Sequence, residues 1–376
     1  MDQSSIVKYR ANSKSGETLK FVVNKVIANQ RISVADAVNL YEHAELGLLA
    51  VLSGLIYTRK NGNHIYFNKN FHIEPTNLCI YSCKFCSYHG GTTGDGLSWE
   101  MSIGDIENTA KRYAGKDVTE VHIVGGVHPG WNLEYYGNII RSVKKILPDI
   151  HVKAFSAIEL EYVIRKSGLG YREGLRQLKM AGLDSIPGGG AEIFNAEVRE
   201  KICPEKASAG KWLAIHEAAH QAGIPSNATM LYGHIESYRH RAEHMEAIRN
   251  LQDSTRGFNC FIPLKFRSEH NMLSYLGEVN LTEDLRNFAV ARIFFDNIDH
   301  VKAYWPMLGR ENTRLALAFG VDDIDGTIDD TTKIYSMAGA EDQKPTMTEE
   351  MLVQLIRDAG RTPVERDSLY RPVRIY

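Results

Sequence analysis

The sequence predicts an α/β protein built as a (β/α)8, TIM-type barrel with a helical N-terminal extension, and three observations carry that prediction. From residue 71 onward, short apolar runs alternate with amphipathic helical stretches. Eight such runs can be marked, the number that a closed parallel barrel of this type uses. Every motif with chemical character falls just after one of these runs, on the face where barrels carry their functional loops. No linker, low-complexity tract or internal repeat divides the 376 residues.

The first seventy residues read as helices: 19–27, then 35–41 with Ser33 as N-cap, then 44–55. The expected division is therefore 1–66, a helical extension packed on the barrel, and 67–376, the barrel with a C-terminal extension. The expected strands are 71–76, 120–124, 151–155, 185–187, 227–231, 258–266, 301–305 and 315–319. Helical patterns lie between them at 103–113, 133–146, 171–181, 212–221, 238–251 and 281–295.

Composition narrows the function classes. Hydrophobic residues make up 43% and charged residues 24%, the balance of an ordinary globular chain. A net charge of −2 without any Lys/Arg run gives no reason to expect nucleic acid. The polar start Asp2-Gln3-Ser4-Ser5 has no signal-peptide core, and the longest apolar stretch, 46–57, is too short to span a bilayer. Five cysteines, three of them bunched, do not form a disulfide framework, so a reducing cytoplasm is the expected location.

Those three, Cys79, Cys83 and Cys86, directly follow the first expected strand, with spacing C-x-x-x-C-x-x-C and Phe85 before the last. Three thiolates on one short loop can hold three irons of a 4Fe–4S cluster and leave the fourth open to a small molecule. The competing reading is three-quarters of a zinc site completed by His72 or His89. Zinc knuckles usually supply a second pair of ligands, and the remaining cysteines, Cys203 and Cys260, are isolated.

Gly125-Gly126 after the second strand and Gly188-Gly189-Gly190 after the fourth let backbone approach closely, either to a ligand or simply in a turn. Glu192 suits a ribose hydroxyl or an amine, or else a helix first turn. Arg199 suits a carboxylate, or a solvated helix face. Ser156 and Glu159 suit a ribose, and Ser156 equally suits a helix cap. His128, His234, Lys265, Arg267 and Arg310 end four of the expected strands or open the loops after them, Lys265 and Arg267 sharing the sixth. Several such donors around one barrel mouth point to an anionic substrate with more than one carboxylate. Asp322, Asp323, Asp325, Asp329 and Asp330 form an acidic run whose spacing departs from a calcium loop; it is expected to end the eighth strand and bind nearby donors.

The cysteine loop resembles that of the radical S-adenosylmethionine (SAM) enzymes, which share its spacing and its aromatic residue. Cys86-Ser87-Tyr88, the run 121–129 and the run 184–193 resemble the menaquinone and deazaflavin radical SAM synthases. Within that branch, 226–236 and 325–334 are similar to the aminofutalosine synthases of the futalosine route to menaquinone, and the likeness extends over about 27–370. The resemblance implies a 4Fe–4S cluster on the three cysteines and SAM as co-substrate. It implies SAM contacts at Phe85, Tyr88, Gly125, Gly126, Ser156, Glu159, Glu192 and Arg199. Substrate contacts are implied at His128, Ser185, Thr229, His234, Lys265, Arg267 and Arg310. The reaction it implies adds a 5′-deoxyadenosyl radical to 3-[(1-carboxyvinyl)oxy]benzoate; rearrangement and decarboxylation then give 6-amino-6-deoxyfutalosine. An electron donor such as flavodoxin or ferredoxin is expected, with no nucleic-acid or membrane partner. Two alternatives stand beside this: a sister enzyme (cyclic dehypoxanthine futalosine synthase or a deazaflavin synthase component) that abstracts hydrogen, and a non-catalytic metal-binding protein.

Overall fold

The computed structural model describes residues 16–90, 98–328, 333–339 and 345–376. Three helices lead the chain: α1 (Gly16–Ile27), α2 (Val34–His43) and α3 (Leu46–Asn61). Ser33 caps α2 as expected, exchanging hydrogen bonds with Asp36 in a capping box, a device that contributes about 1 kcal/mol. Lys25 on α1 reaches the same Asp36 at 2.8 Å and so ties the two helices. Leu19, Val22, Val23 and Val26 of α1 are buried, spaced as one helical stripe. With Leu40, Leu49 and Leu52 they join one continuous core with Phe71, Val121 and Val152 of the barrel strands.

The chain enters the sheet at β1 (His64–Phe67), jogs at Asn68 and Lys69, and continues as β2 (Asn70–Ile73). Then come α4 (Ile103–Lys111), β3 (Glu120–Ile123), α5 (Leu133–Ile146), β4 (His151–Ala154), α6 (Ala157–Lys166), α7 (Tyr171–Ala181), α8 (Ala196–Ile202) and α9 (Ala209–Gln221). The second half holds β5 (Ser226–Tyr232), α10 (Tyr238–Thr255), β6 (Phe258–Lys265), α11 (Leu281–Phe294), β7 (His300–Ala303), α12 (Trp305–Leu308), α13 (Arg310–Ala316) and β8 (Asp323–Ile324). After α14 (Ile334–Met337) and α15 (Glu349–Asp358), the strands β9 (Thr362–Arg366) and β10 (Pro372–Ile375) end the chain.

The strands form two ladders, β2-β3-β4 and β10-β9-β1-β8-β7-β6-β5, parallel except for the β9–β10 hairpin. Two seams join them. The expected fourth strand contributes only isolated bridges, Lys153 to Ser185 and Ile186 to Ser226, because Pro187 and three glycines end it at once. At the other seam the Thr327 hydroxyl donates to the Asn70 carbonyl at 2.8 Å and accepts from the Asn70 N–H at 3.0 Å.

The expected eighth strand at 315–319 is a correction. That stretch finishes α13 and turns through a 3₁₀ segment, Leu317–Phe319, which Gly320 closes at φ 89°. The strand lies in the acidic run instead. Asp322 pairs with Arg292 and His300, Asp323 with Arg366 at 2.7 Å, and Asp325 with Lys302 at 2.9 Å. The run therefore binds neighbouring donors as expected, although Asp329 and Asp330 lie outside the described residues.

Candidate functional site

The C-terminal ends of the strands surround a cavity of about 310 Å³ that continues down into the barrel. Cys79, Cys83 and Cys86 all line it, with Phe85, Tyr88, Gly125, Gly126, Ser156, Glu159, Glu192, Thr229 and Arg267. The cysteine loop is held from both sides: Lys84 N–H donates to Ile202 O at 2.9 Å, and Met272 N–H donates to Lys84 O at 2.9 Å. Within it, Cys86 N–H closes a tight turn onto Cys83 O at 3.0 Å. The Cys79 sulfur accepts backbone N–H groups from Tyr81 (3.5 Å) and Val127 (3.3 Å). Burial pushes the Cys83 thiol up to about 12, so the thiolate needs a cation close by.

This donor set fits a 4Fe–4S cluster. Among the described residues no three His, Cys, Asp or Glu side chains converge closely enough to hold one metal ion. A zinc ion needs all its ligands within roughly 2.3 Å of a point, whereas a cluster gives each thiolate its own iron. When bound, such a cluster would supply an open iron to chelate SAM and an electron to cleave it.

The glycine pair serves the protein's own backbone first. A Cβ on Gly126 would meet the Leu78 carbonyl oxygen at 2.2 Å, and one on Gly125 the Thr76 oxygen at 2.6 Å. The pair therefore lets β3 press against the root of the cysteine loop. Ser156 and Glu159 form the capping box that starts α6, and Glu159 Oε1 also accepts the Gly125 N–H at 3.3 Å. Burial pushes the Glu159 carboxyl up to about 7. Glu192 takes φ 50° and pairs with Lys206 at 2.5 Å; the Lys206 ammonium lies 5.3 Å from the Phe85 ring centroid. Tyr88 donates its hydroxyl to Thr76 O at 3.2 Å, and Thr229 donates to Gly188 O at 2.6 Å.

Six sequence-expected residues do not line this cavity. Arg199 is buried and spends its guanidinium on the carbonyls of Ala191, Ile193 and Ala207. His128 stacks on Trp131 and pairs with Glu100 at 3.2 Å. Ser185 is buried against His151 at 2.7 Å. His234 contacts Leu231 O and Glu236, both at 3.2 Å. Lys265 pairs with Asp284 at 2.9 Å. Arg310 donates to Thr346 O and covers Trp305, lining a neighbouring depression beside Arg267. Of the expected mouth cations, Arg267 alone reaches the cavity wall. The other four are held by partners of their own: Glu100 for His128, Glu236 for His234, Asp284 for Lys265 and the Thr346 carbonyl for Arg310.

The structure brings to this wall residues that the sequence did not place there: Glu74, His122, Lys153, Lys206, Lys302 and Asp325. His122, Lys153 and Lys302 sit inside strands, where a polar residue at alternate positions was the available signal. Burial pushes the Glu74 carboxyl up to about 7; it accepts the N–H groups of Lys333 (2.8 Å) and Ile334 (3.3 Å), fastening α14 over the cavity.

Comparisons with known proteins agree with this geometry. Residues 73–248 match the radical SAM superfamily, and residues 255–375 the CofH/MqnC C-terminal region. The chain is 42% identical to an aminodeoxyfutalosine synthase of Thermus thermophilus over 94% of this chain and 96% of that one. It is 40% identical to an aminodeoxyfutalosine synthase of Streptomyces coelicolor over 94% and 93%. It is 36% identical to a 5-amino-6-(D-ribitylamino)uracil–L-tyrosine 4-hydroxyphenyl transferase of Methanothermobacter thermautotrophicus over 88% and 90%. The fold is shared with a methylornithine synthase, at TM-score 0.70 and 16% identity over 90% of this chain and 95% of that one. A three-cysteine loop at the mouth of a parallel barrel and a near full-length likeness thus converge: the chain belongs to the radical SAM superfamily, enzymes that use a 4Fe–4S cluster and SAM.

Proposed function

We propose that this enzyme joins the 5′-deoxyadenosyl group of SAM to 3-[(1-carboxyvinyl)oxy]benzoate, with rearrangement and decarboxylation, to give 6-amino-6-deoxyfutalosine. The observation that carries the reading is the 42% identity to the Thermus thermophilus aminodeoxyfutalosine synthase along nearly the whole chain. In this reading Cys79, Cys83 and Cys86 hold the cluster, and the wall formed by Phe85, Gly126, Glu159 and Glu192 faces SAM. Glu159 and Glu192, fixed by a capping box and by Lys206, are positioned to accept from ribose hydroxyls or the SAM amine.

The likeness to the 4-hydroxyphenyl transferase favours a second reading, a sister enzyme that begins by hydrogen abstraction. Product analysis separates the two. Reconstituted, reduced enzyme given adenosyl-labelled SAM and the dicarboxylate should place the label in a substrate adduct. Label recovered chiefly in free 5′-deoxyadenosine would reject the adding enzyme.

A further inference from the structure

Below the cysteine loop, the barrel interior carries a polar layer that the SAM-facing wall does not use. His72 on β2, His122 on β3 and Lys153 on β4 stand side by side in register. The two imidazoles meet edge to face with centroids 4.7 Å apart. His122 and Lys153 line the cavity, as do Lys302 and Asp325 from β7 and the residue just beyond β8. Lys153 Nζ lies 2.5 Å from Glu120, and Lys302 Nζ 2.9 Å from Asp325. An ammonium has three donors, so each lysine retains capacity for another acceptor. The His122 Nε2 is buried and makes no hydrogen bond among the described residues. Leaving a buried polar atom unsatisfied is costly, and the residue that carries it lines the cavity. Burial also keeps this imidazole uncharged, with its pKa well below the usual value.

Depth fixes which ligand atom arrives there. His122 precedes Gly125 by three residues, roughly 10 Å further down a strand. On the proposed function, the vinyl carbon that accepts the adenosyl group sits at the mouth beside SAM, which leaves the ring carboxylate, the far end of the same molecule, to reach down the barrel.

We infer that the His122 imidazole, with the Lys153 ammonium beside it, is the recognition site for the ring carboxylate of the substrate. This rests on the function proposed above and adds to it a residue that sets substrate choice. An imidazole N–H of His122 donates to one carboxylate oxygen, while Lys153, shared with Glu120, donates to the other. Gln at position 122 can place an amide N–H near the same point; Ala cannot.

The test compares 3-[(1-carboxyvinyl)oxy]benzoate with 2-phenoxyprop-2-enoate, the analogue without a ring carboxylate, using reconstituted wild-type, His122→Ala and His122→Gln enzymes. kcat/KM for adduct and the yield of 5′-deoxyadenosine are read together, with Tm as the check on folding. Wild-type enzyme should prefer the dicarboxylate. His122→Ala should lose at least about tenfold of that preference, the scale of one charged hydrogen bond, with SAM cleavage retained. His122→Gln should regain part of the preference. Equal preference in wild-type and His122→Ala protein would overturn the assignment while leaving the proposed function standing. If His122→Ala does not fold, the comparison rests on His122→Phe and Lys153→Met, and wild-type preference in both would overturn it. Wild-type enzyme that cleaves SAM but forms no adduct with the dicarboxylate would instead overturn the proposed function, and this assignment with it.

Discussion

Replacing Cys79, Cys83 or Cys86 by Ala removes one thiolate from the cavity wall. The expected outcome is loss of cluster iron and of SAM cleavage, read by iron and sulfide analysis and by 5′-deoxyadenosine yield. Cys203→Ala and Cys260→Ala remove buried thiols outside that wall and should keep both properties. Gly126→Val has a different expected effect from that of a simple ligand clash. Its Cβ would meet the Leu78 backbone, not a flexible side chain, so the cysteine loop must shift; both Tm and iron incorporation should fall together. Normal iron content with weakened SAM binding would restore a purely ligand-facing role. The three cysteines were legible because their spacing is rare and self-contained. The interior layer was not, because His122 and Lys153 read as ordinary strand positions until register sets them side by side on the inner face. The strand-end cations misled for a related reason: spacing locates a side chain along the chain, while its partner, such as Asp284 for Lys265, lies far off in sequence.

At the level of elements, Arg199 links α8 to the loops on either side through three carbonyls. Arg199→Met should lower stability by about 1–3 kcal/mol, since buried acceptors lose a charged donor. The SAM Kd of the folded fraction should stay nearly unchanged; a Kd raised tenfold at normal Tm would return Arg199 to the SAM site. Strand and helix positions were largely legible from periodicity, with Ser33 and Ser156 capping as their sequence context implied. The eighth strand was not, because one of its two residues is the buried Asp323, flanked by the buried Asp322 and Asp325, and burial there depends on Arg292, Arg366 and Lys302 arriving from other elements. An apolar run such as 315–319 scores better by composition, yet helical packing beside Gly320 claims it.

Across the whole molecule, the buried imidazoles set an acid limit. Burial lowers His72 to about 4, His220 to about 4 and His244 to about 3, and holds His122 and His216 well below the usual value. Each folded imidazole binds its proton more weakly than the unfolded one, so the stability it contributes is complete above about 6.5 and drains away as pH falls toward 4. Glu74 and Glu159, raised to about 7, act in the opposite sense between about 4.5 and 7. Five imidazoles outweigh two carboxyls, and Tm should fall between pH 6.5 and 5; a flat or rising Tm would contradict this balance. The helical extension shares the barrel core, so these sites should unfold with one cooperative transition. On the proposed function the chemistry turns on a cluster at the barrel mouth with one iron open to SAM. Electron-nuclear double resonance on the reduced, reconstituted enzyme with SAM labelled in its amino nitrogen and carboxylate reads that bond. About four irons per chain are expected, as in three-thiolate clusters, with label couplings that vanish in Cys83→Ala protein. Full iron content with no coupling from bound SAM would contradict it.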